Sequence, residues 1–131
     1  MIIDKHINKD NWDEIKDILP QITEIHTLDL YNMVLTEFPK MSHITIKGDF
    51  LCMNNKITSF KDCPYIGGNL YSDFDIFDKI QKYSKEKKIS LLESQVELYN
   101  QQDEELLEHI DKFPDLVACI RMKELNKLLC A

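Results

Sequence analysis

The side chains best suited to chemistry in this 131-residue chain are four cysteines and four histidines. Cys52 and Cys63 lie in "KGDFLCMNNKITSFKDCPYIGG", eleven positions apart, and Cys119 and Cys130 near the end of the sequence. No C-x-x-C and no H-x-x-x-H accompanies them, so the spacing of a zinc set is missing. His6, His26, His43 and His109 form no ligand cluster in sequence. His43 with Cys63 would make a Cys/His nucleophile pair. The chain has no nucleophile elbow, phosphate loop or paired catalytic motif to go with it. Gly67-Gly68 is a weak phosphate-loop candidate and reads better as a turn before a strand. The expectation is a protein without enzymatic activity, metal or cofactor, whose cysteines pack as small hydrophobes. A thiol enzyme using Cys63 or Cys52 is the remaining catalytic alternative.

Two other sets of residues offer binding rather than catalysis. Glu97, Glu104, Glu108, Asp111 and Asp115 follow helical spacing, with Asp103 and Glu105 beside them. On nearly continuous helices they would form a row of carboxylates able to imitate a nucleic-acid backbone or to dock on a basic protein. A solvated helix face is the plainer reading. The second set lies between the hydrophobic positions of the short strands described below.

Composition bounds the rest. Hydrophobic residues are 44% and charged residues 30%, as in a water-soluble globular domain, and the length suits one domain. The apolar runs are too short for a bilayer, and "MIIDKHINKDNW" lacks the basic start and apolar block of a signal peptide. A reducing, cytoplasmic setting is expected, with free cysteines and no membrane partner. The net charge of −7 argues against direct nucleic-acid binding. Residues 1–24 carry 3 basic and 6 acidic residues, 25–72 carry 4 and 4, and 73–131 carry 9 and 13. Three regions are implied: an N-terminal helical cap (1–24), a strand-rich centre (25–80) and a C-terminal helical region (75–131).

In the first, Trp12, Ile15, Leu19 and Ile22 share a helical face over residues 10–19, with Asp10 or Asn11 as cap and Pro20 as stop. In the last, Ile76, Phe77, Ile80 and Tyr83 mark one helix. Ser90 and Glu93 form a capping box for a second, whose Leu92, Val96 and Tyr99 share a face. Asp103 caps a third with Leu106, Leu107 and Ile110. Pro114 starts a fourth, in which Leu116, Val117, Ile120, Leu125, Leu128 and Leu129 point inward. In the centre the period is two within runs of four to eight residues, "TLDLY", "ITIKGDFLCM" and "NLYSDFD".

These runs repeat. Leu28-x-Leu30-x-x-Met33-x-Leu35-x-x-Phe38 matches Phe50-x-Cys52-x-x-Asn55-x-Ile57-x-x-Phe60 at an offset of 22 throughout. Leu70-x-Ser72-x-x-Asp75-x-Phe77-x-x-Ile80 follows at 20. Gly48 and Gly68 each precede their strand by two residues. One such turn cannot bury its own apolar face, so neighbours must stack. Leu28, Phe50 and Leu70 are expected inward as one ladder, and Leu30, Cys52 and Ser72 as the next. Asn55 is expected to turn its amide inward to backbone groups left free at the strand end. The third copy leaves the frame as it enters a helix at Asp75.

The frame over residues 28–80 resembles the leucine-rich repeat, in the short G-D-F-x-C-x-x-N-x-L-T-S-L form associated with phage-encoded proteins. The resemblance implies a short parallel sheet, one strand per repeat. The fold expected is mixed α/β: three repeat turns capped by an N-terminal helix and a C-terminal helical subdomain. In this frame the intervening positions face outward on the concave side: Asp29, Tyr31, Asn32, Leu51, Met53, Asn54, Tyr71, Asp73 and Phe74. Aromatics and Met enrich interface cores. Either a partner or the C-terminal helices should cover such a patch, and Tyr31, Met53 and Tyr71 are read as lining up across three strands. The function expected is a non-catalytic interaction module of phage type that binds and blocks a host defence protein. The candidate contacts are Tyr31, Asn32, Leu51, Met53, Asn54, Tyr71 and Asp73. The alternative is an acidic mimic, using the row Glu97 to Asp115 against a nucleic-acid-binding protein such as a CRISPR nuclease.

Overall fold

The computed structural model describes residues 1–130. Its six strands form one parallel sheet, flanked by five α-helices. β1 (Ile2–Ile7) leads through α1 (Trp12–Lys16) and a 3-10 turn (Leu19–Gln21) to β2 (Glu24–Asp29). β3 (Thr45–Ile46), β4 (Phe50–Leu51), β5 (Tyr65–Ile66) and β6 (Leu70–Tyr71) follow. Then come α2 (Asp75–Lys87), α3 (Leu91–Asn100), α4 (Glu104–Glu108), a 3-10 turn (Ile110–Lys112) and α5 (Pro114–Cys130).

The repeat offsets are the register of the sheet. Leu28 pairs with Phe50 and Asp29 with Leu51, while Phe50 pairs with Leu70 and Leu51 with Tyr71. The first half of β2 pairs with β3, and β3 with β5. Each later turn is thus one strand broken in the middle. Between the paired halves stand two residues in β2 but three in each later turn, residues 47–49 and 67–69. The extra residue is a bulge, and the bulges stack. Gly48 N–H donates to His26 O (2.6 Å) and Gly68 N–H to Gly48 O (2.9 Å). A Cβ on Gly48 would sit 2.9 Å from Thr27 Oγ1, and one on Gly68 would run into Asp49 Oδ1 and Gly48 O. Close approach of stacked backbones, not a positive φ, requires these glycines.

Inward columns run through the stack. Ile25, Ile46 and Ile66 are buried, as are Leu28, Phe50 and Leu70, and Leu30 with Cys52. Ser72, the last member of the Leu30 column, is half-buried. All six phenylalanines of the chain join one cluster. Phe77 stands at its centre, 5.3 Å from Phe60, 5.7 Å from Phe113 and 6.2 Å from Phe38 between ring centroids. It joins the repeat core to α2 and to the start of α5. Phe60 N–H donates to Lys112 O (2.7 Å), fixing the same junction.

The N-terminal region differs from a purely helical cap. Residues 2–7 add a fourth layer, with Ile3 beside Ile25 and Ile7 beside Leu28. Its burial does not alternate, which hid it from the period-two reading: of its six residues only Ile7 is buried and Ile3 half-buried. α1 buries Trp12 and Ile15 as its spacing predicts but ends at Lys16, and Pro20 lies inside the following 3-10 turn. Asn11 occupies the N-cap, yet its side chain accepts from Asn8 N–H (2.7 Å) rather than from the helix.

Both predicted C-terminal caps form. Ser90 Oγ accepts from Glu93 N–H (3.0 Å) and Asp103 Oδ1 from Leu106 N–H (3.0 Å). The inward faces of three helices need correction. α3 buries Ser94, Gln95 and Leu98, leaving Leu92 exposed and Val96 and Tyr99 half-buried beside α5. Ser94 Oγ donates to Ser90 O (2.8 Å), and its small side chain suits close packing. On α5, Leu116 is buried, whereas Leu125, Leu128 and Leu129 are exposed, because the helix runs past the body it packs on. Leu107 is also exposed. Among the described residues no helix is long and apolar enough to cross a membrane.

Candidate partner-binding face

Asn55 sets the face, because it fixes where the strands end. Its Oδ1 accepts from Met33 N–H (2.9 Å) and Leu35 N–H (3.0 Å). Its Nδ2 donates to Leu30 O (2.8 Å), Cys52 O (2.9 Å) and Met53 O (3.2 Å). One amide thus satisfies backbone groups of two turns. Asn32 and Asn54 hold equivalent positions in those turns, both left-handed (φ 55° and 57°), a conformation Asn tolerates. Asn54 Nδ2 donates to Asn32 Oδ1 (3.1 Å). In the third turn the frame gives way to α2, and a different residue takes the bracing role. The Asp73 carboxylate accepts from Asn54 N–H (2.9 Å) and Asn55 N–H (3.2 Å), while Asp75 is exposed in the first turn of α2.

The outward positions form an open face. Tyr31 is 50% exposed and Tyr71 43%, with Leu51 and Met53 half-buried between them. The C-terminal helices do not cover it. α2 closes the end of the sheet beside β6 instead, and Phe74 turns toward those helices, packed on Phe77 and His109 with Lys112 Nζ 4.8 Å from its ring. The register also corrects one alignment. Asp29, Leu51 and Tyr71 share a row, and Met53 sits one row on beside Tyr31. Tyr31 and Met53 therefore stand side by side in one row, and Tyr71 lies one row back on the next turn. Asn32, Asn54 and Asp73 are exposed too, but their hydrogen bonds serve the stack.

A hollow flanks each side of the Leu51–Met53 centre. One, of about 290 Å³, is lined by Asn8, Lys9, Asp10, Asp29, Tyr31 and Asn32. The other, of about 470 Å³, includes Met53, Asn69, Tyr71, Asp75, Asp78 and Lys82. Asn8, Lys9 and Asp10 were not among the expected face residues, because β1 itself was not expected. Running the repeat one period back from Ile25 and Leu28, to Ile3 and Ile7, is the signal that finds them.

The chemical candidates are placed elsewhere. Cys52 and Cys63 are buried free thiols. Burial, with the Asp73 carboxylate adding to it, pushes the Cys52 thiol up to about 12. Burial and the neighbouring Cys52 raise Cys63, against an opposing hydrogen bond from Gln81. Thiols held protonated are poor nucleophiles. His43 Nε2 is hydrogen-bonded to Leu19 O (2.8 Å), and Cys63 Sγ contacts Gln81 Nε2 (3.5 Å), so the imagined pair is not formed. The amides of Gly67 and Gly68 donate to Ile46 O and Gly48 O, which leaves no cradle for phosphate. Among the described residues no three His, Cys, Asp or Glu side chains are placed to hold a metal ion.

The acidic row is broken. Glu97, Glu104, Glu108, Asp111 and Asp115 are all exposed, but they fall on α3, α4, a 3-10 turn and α5, with turns at 101–103 and 109–113. Asp103 and Glu105 are taken up structurally, 2.6 and 3.5 Å from Lys79 Nζ on α2. Burial works to raise the Asp103 carboxyl, yet Lys79 and the Leu106 N–H outweigh it and hold it below its ordinary value. Comparison with known protein families, curated proteins and solved structures finds no match to this chain.

Proposed function

We propose that the protein is a non-catalytic binding module that works by occupying a partner protein's surface with the outer face of its sheet. The observation that carries this reading is the open cluster of Tyr31, Met53 and Tyr71, set on a braced stack and left uncovered by the helices among the described residues. Exposed aromatics around a half-buried Met on a braced surface suit the core of an interface, since their shape is preset and little order must be gained on binding. The setting we favour is a phage-type accessory protein that binds and blocks a host defence protein, in keeping with the G-D-F-x-C repeat frame of residues 28–80. The break in the acidic row weighs against the alternative of a nucleic-acid mimic, and the buried thiols against a thiol enzyme.

The test compares the wild-type protein with Tyr31→Ser/Met53→Ser/Tyr71→Ser as baits in bacterial lysate. A partner retained by the first and lost from the second, with circular dichroism and thermal melting unchanged, is the expected result. Equal retention by both removes the outer face as the binding surface. Retention that collapses with salt and with Glu104→Gln/Glu108→Gln/Asp111→Gln would transfer the function to the acidic residues.

A further inference from the structure

α5 begins as a core element and ends as something else. Leu116 is buried, Val117, Cys119 and Ile120 are half-buried, and residues 121–129 are all exposed. The exposed part carries Met122, Leu125, Leu128 and Leu129, at 56, 47, 78 and 74% exposure. At roughly 100° per residue, Leu116 and Ile120 point to the body, while Ala118, Met122, Leu125 and Leu129 form a stripe on the opposite side. The helix is therefore apolar on two sides, and the chain supplies a partner for one. The spacing of the second stripe is 4, 3 and 4, that of a helix–helix seam. A patch of this kind marks an interaction surface.

We propose that this stripe joins two copies of the protein, with their α5 helices packed antiparallel about a two-fold axis. Side-chain size argues for the second copy as occupant. An antiparallel pair centred between Lys123 and Glu124 sets Ala118 opposite Leu129 of the second copy, and Met122 opposite its Leu125. Small meets large, and the seam fills. A parallel pair would set Ala118 on Ala118 and Leu129 on Leu129, leaving a void beside a crowded layer. Charge agrees. Lys123, Glu124 and Lys127 lie away from the stripe, and Arg121 borders it opposite Leu128 of the second copy, so no like charges meet across the seam. The body residues beside this part of α5, Val96, Tyr99 and Asn100, share a hollow with Lys123, Glu124 and Lys127 on the side away from the stripe, so among the described residues the approach is open. The seam is short, well under the roughly 800 Å² per partner of a standard interface, so association in the micromolar range is expected.

The test is sedimentation equilibrium of the full chain from micromolar to near-millimolar concentration. A monomer–dimer equilibrium is expected. Leu125→Asp/Leu129→Asp should weaken it by at least about tenfold while leaving the melt of the dilute monomer unchanged. Ala118→Leu and Leu129→Ala should each weaken it, and the double swap should return it to within about threefold of wild type, since the two face each other only across this pairing. A wild-type protein that stays monomeric overturns the proposal. So does a dimer indifferent to the aspartates, or losses from the swap that simply add. Binding of the monomer to phosphatidylserine vesicles through the same leucines would assign the stripe to an anionic lipid surface and overturn it as well.

Discussion

At the β5–β6 end of the sheet, the outward-pointing backbone groups meet side chains of α2. Asp78 Oδ1 accepts from Leu70 N–H (3.1 Å), Gln81 Oε1 accepts from Ile66 N–H (3.1 Å), and Gln81 Nε2 donates to Pro64 O (2.7 Å). Lys85 Nζ donates to the carbonyls of Gly67 and Gly68. The three residues sit 3 and 4 apart on one helix face, so a single helix closes the edge. At the other end, β1 pairs with β2 alone, and exposed Asp4, Lys5 and His6 stand along it. Charges on an edge strand discourage pairing with another chain. One end is closed by specific hydrogen bonds, those of Gln81 buried, the other by charged, solvated side chains. The difference teaches where single substitutions should matter: a buried bond has no substitute, whereas a solvated charge has water.

The largest effect is expected where the closed end joins the core. Phe77→Ala should cost about 3–5 kcal/mol in denaturant unfolding, because it opens a cavity among four other rings. Next, Gln81→Ala should cost about 2 kcal/mol by stranding a buried N–H and carbonyl at β5. Asn55→Ala, in the middle of the stack, should cost at least as much, as it deserts groups in two turns. Lys5→Ala and His6→Ala at the open end should stay within about 0.5 kcal/mol. A cost at Lys5 or His6 equal to that at Gln81 would erase the contrast between the ends.

A smaller effect sharpens it through pH. Asp103→Asn keeps a capping side chain but removes the charge facing Lys79, which ties α4 to the closing helix α2. Lys79 is partly exposed, so a cost of about 0.5–1 kcal/mol is expected at pH 7. The Asp103 carboxyl is depressed in the fold, so its stabilisation is present above the unfolded-state value of about 3.9 and is lost as pH falls through the lower folded value. The gap between wild type and variant in thermal melts should close in acid. The smallest change is a gain. Val34 is exposed and left-handed (φ 58°), a strained state for a β-branched residue, and Val34→Asn should stabilise by about 0.5–1 kcal/mol.

Much of the stack was legible because a period is local information. The offsets of 22 and 20 recur as strand register, and Asn55 braces the backbone as its place in the frame requires. The candidate face followed from the same alternation, apart from Phe74, whose side chain is claimed by His109 and Lys112 from far along the chain. β1 was illegible for the opposite reason: an edge strand that buries so little of itself carries no alternation to read.

The sequence by itself determined which residues stack, at what spacing, and where helices start at Ser90 and Asp103. Each depends on contacts within a turn or on a repeat that reproduces itself. The tertiary structure alone decided that Asp78, Gln81 and Lys85 would close one edge, that the acidic row would break across four segments, and that the last leucines of α5 would face outward. Those outcomes depend on how far each element runs past its neighbour. A helix with apolar residues on two sides carries no mark of which side the body will take.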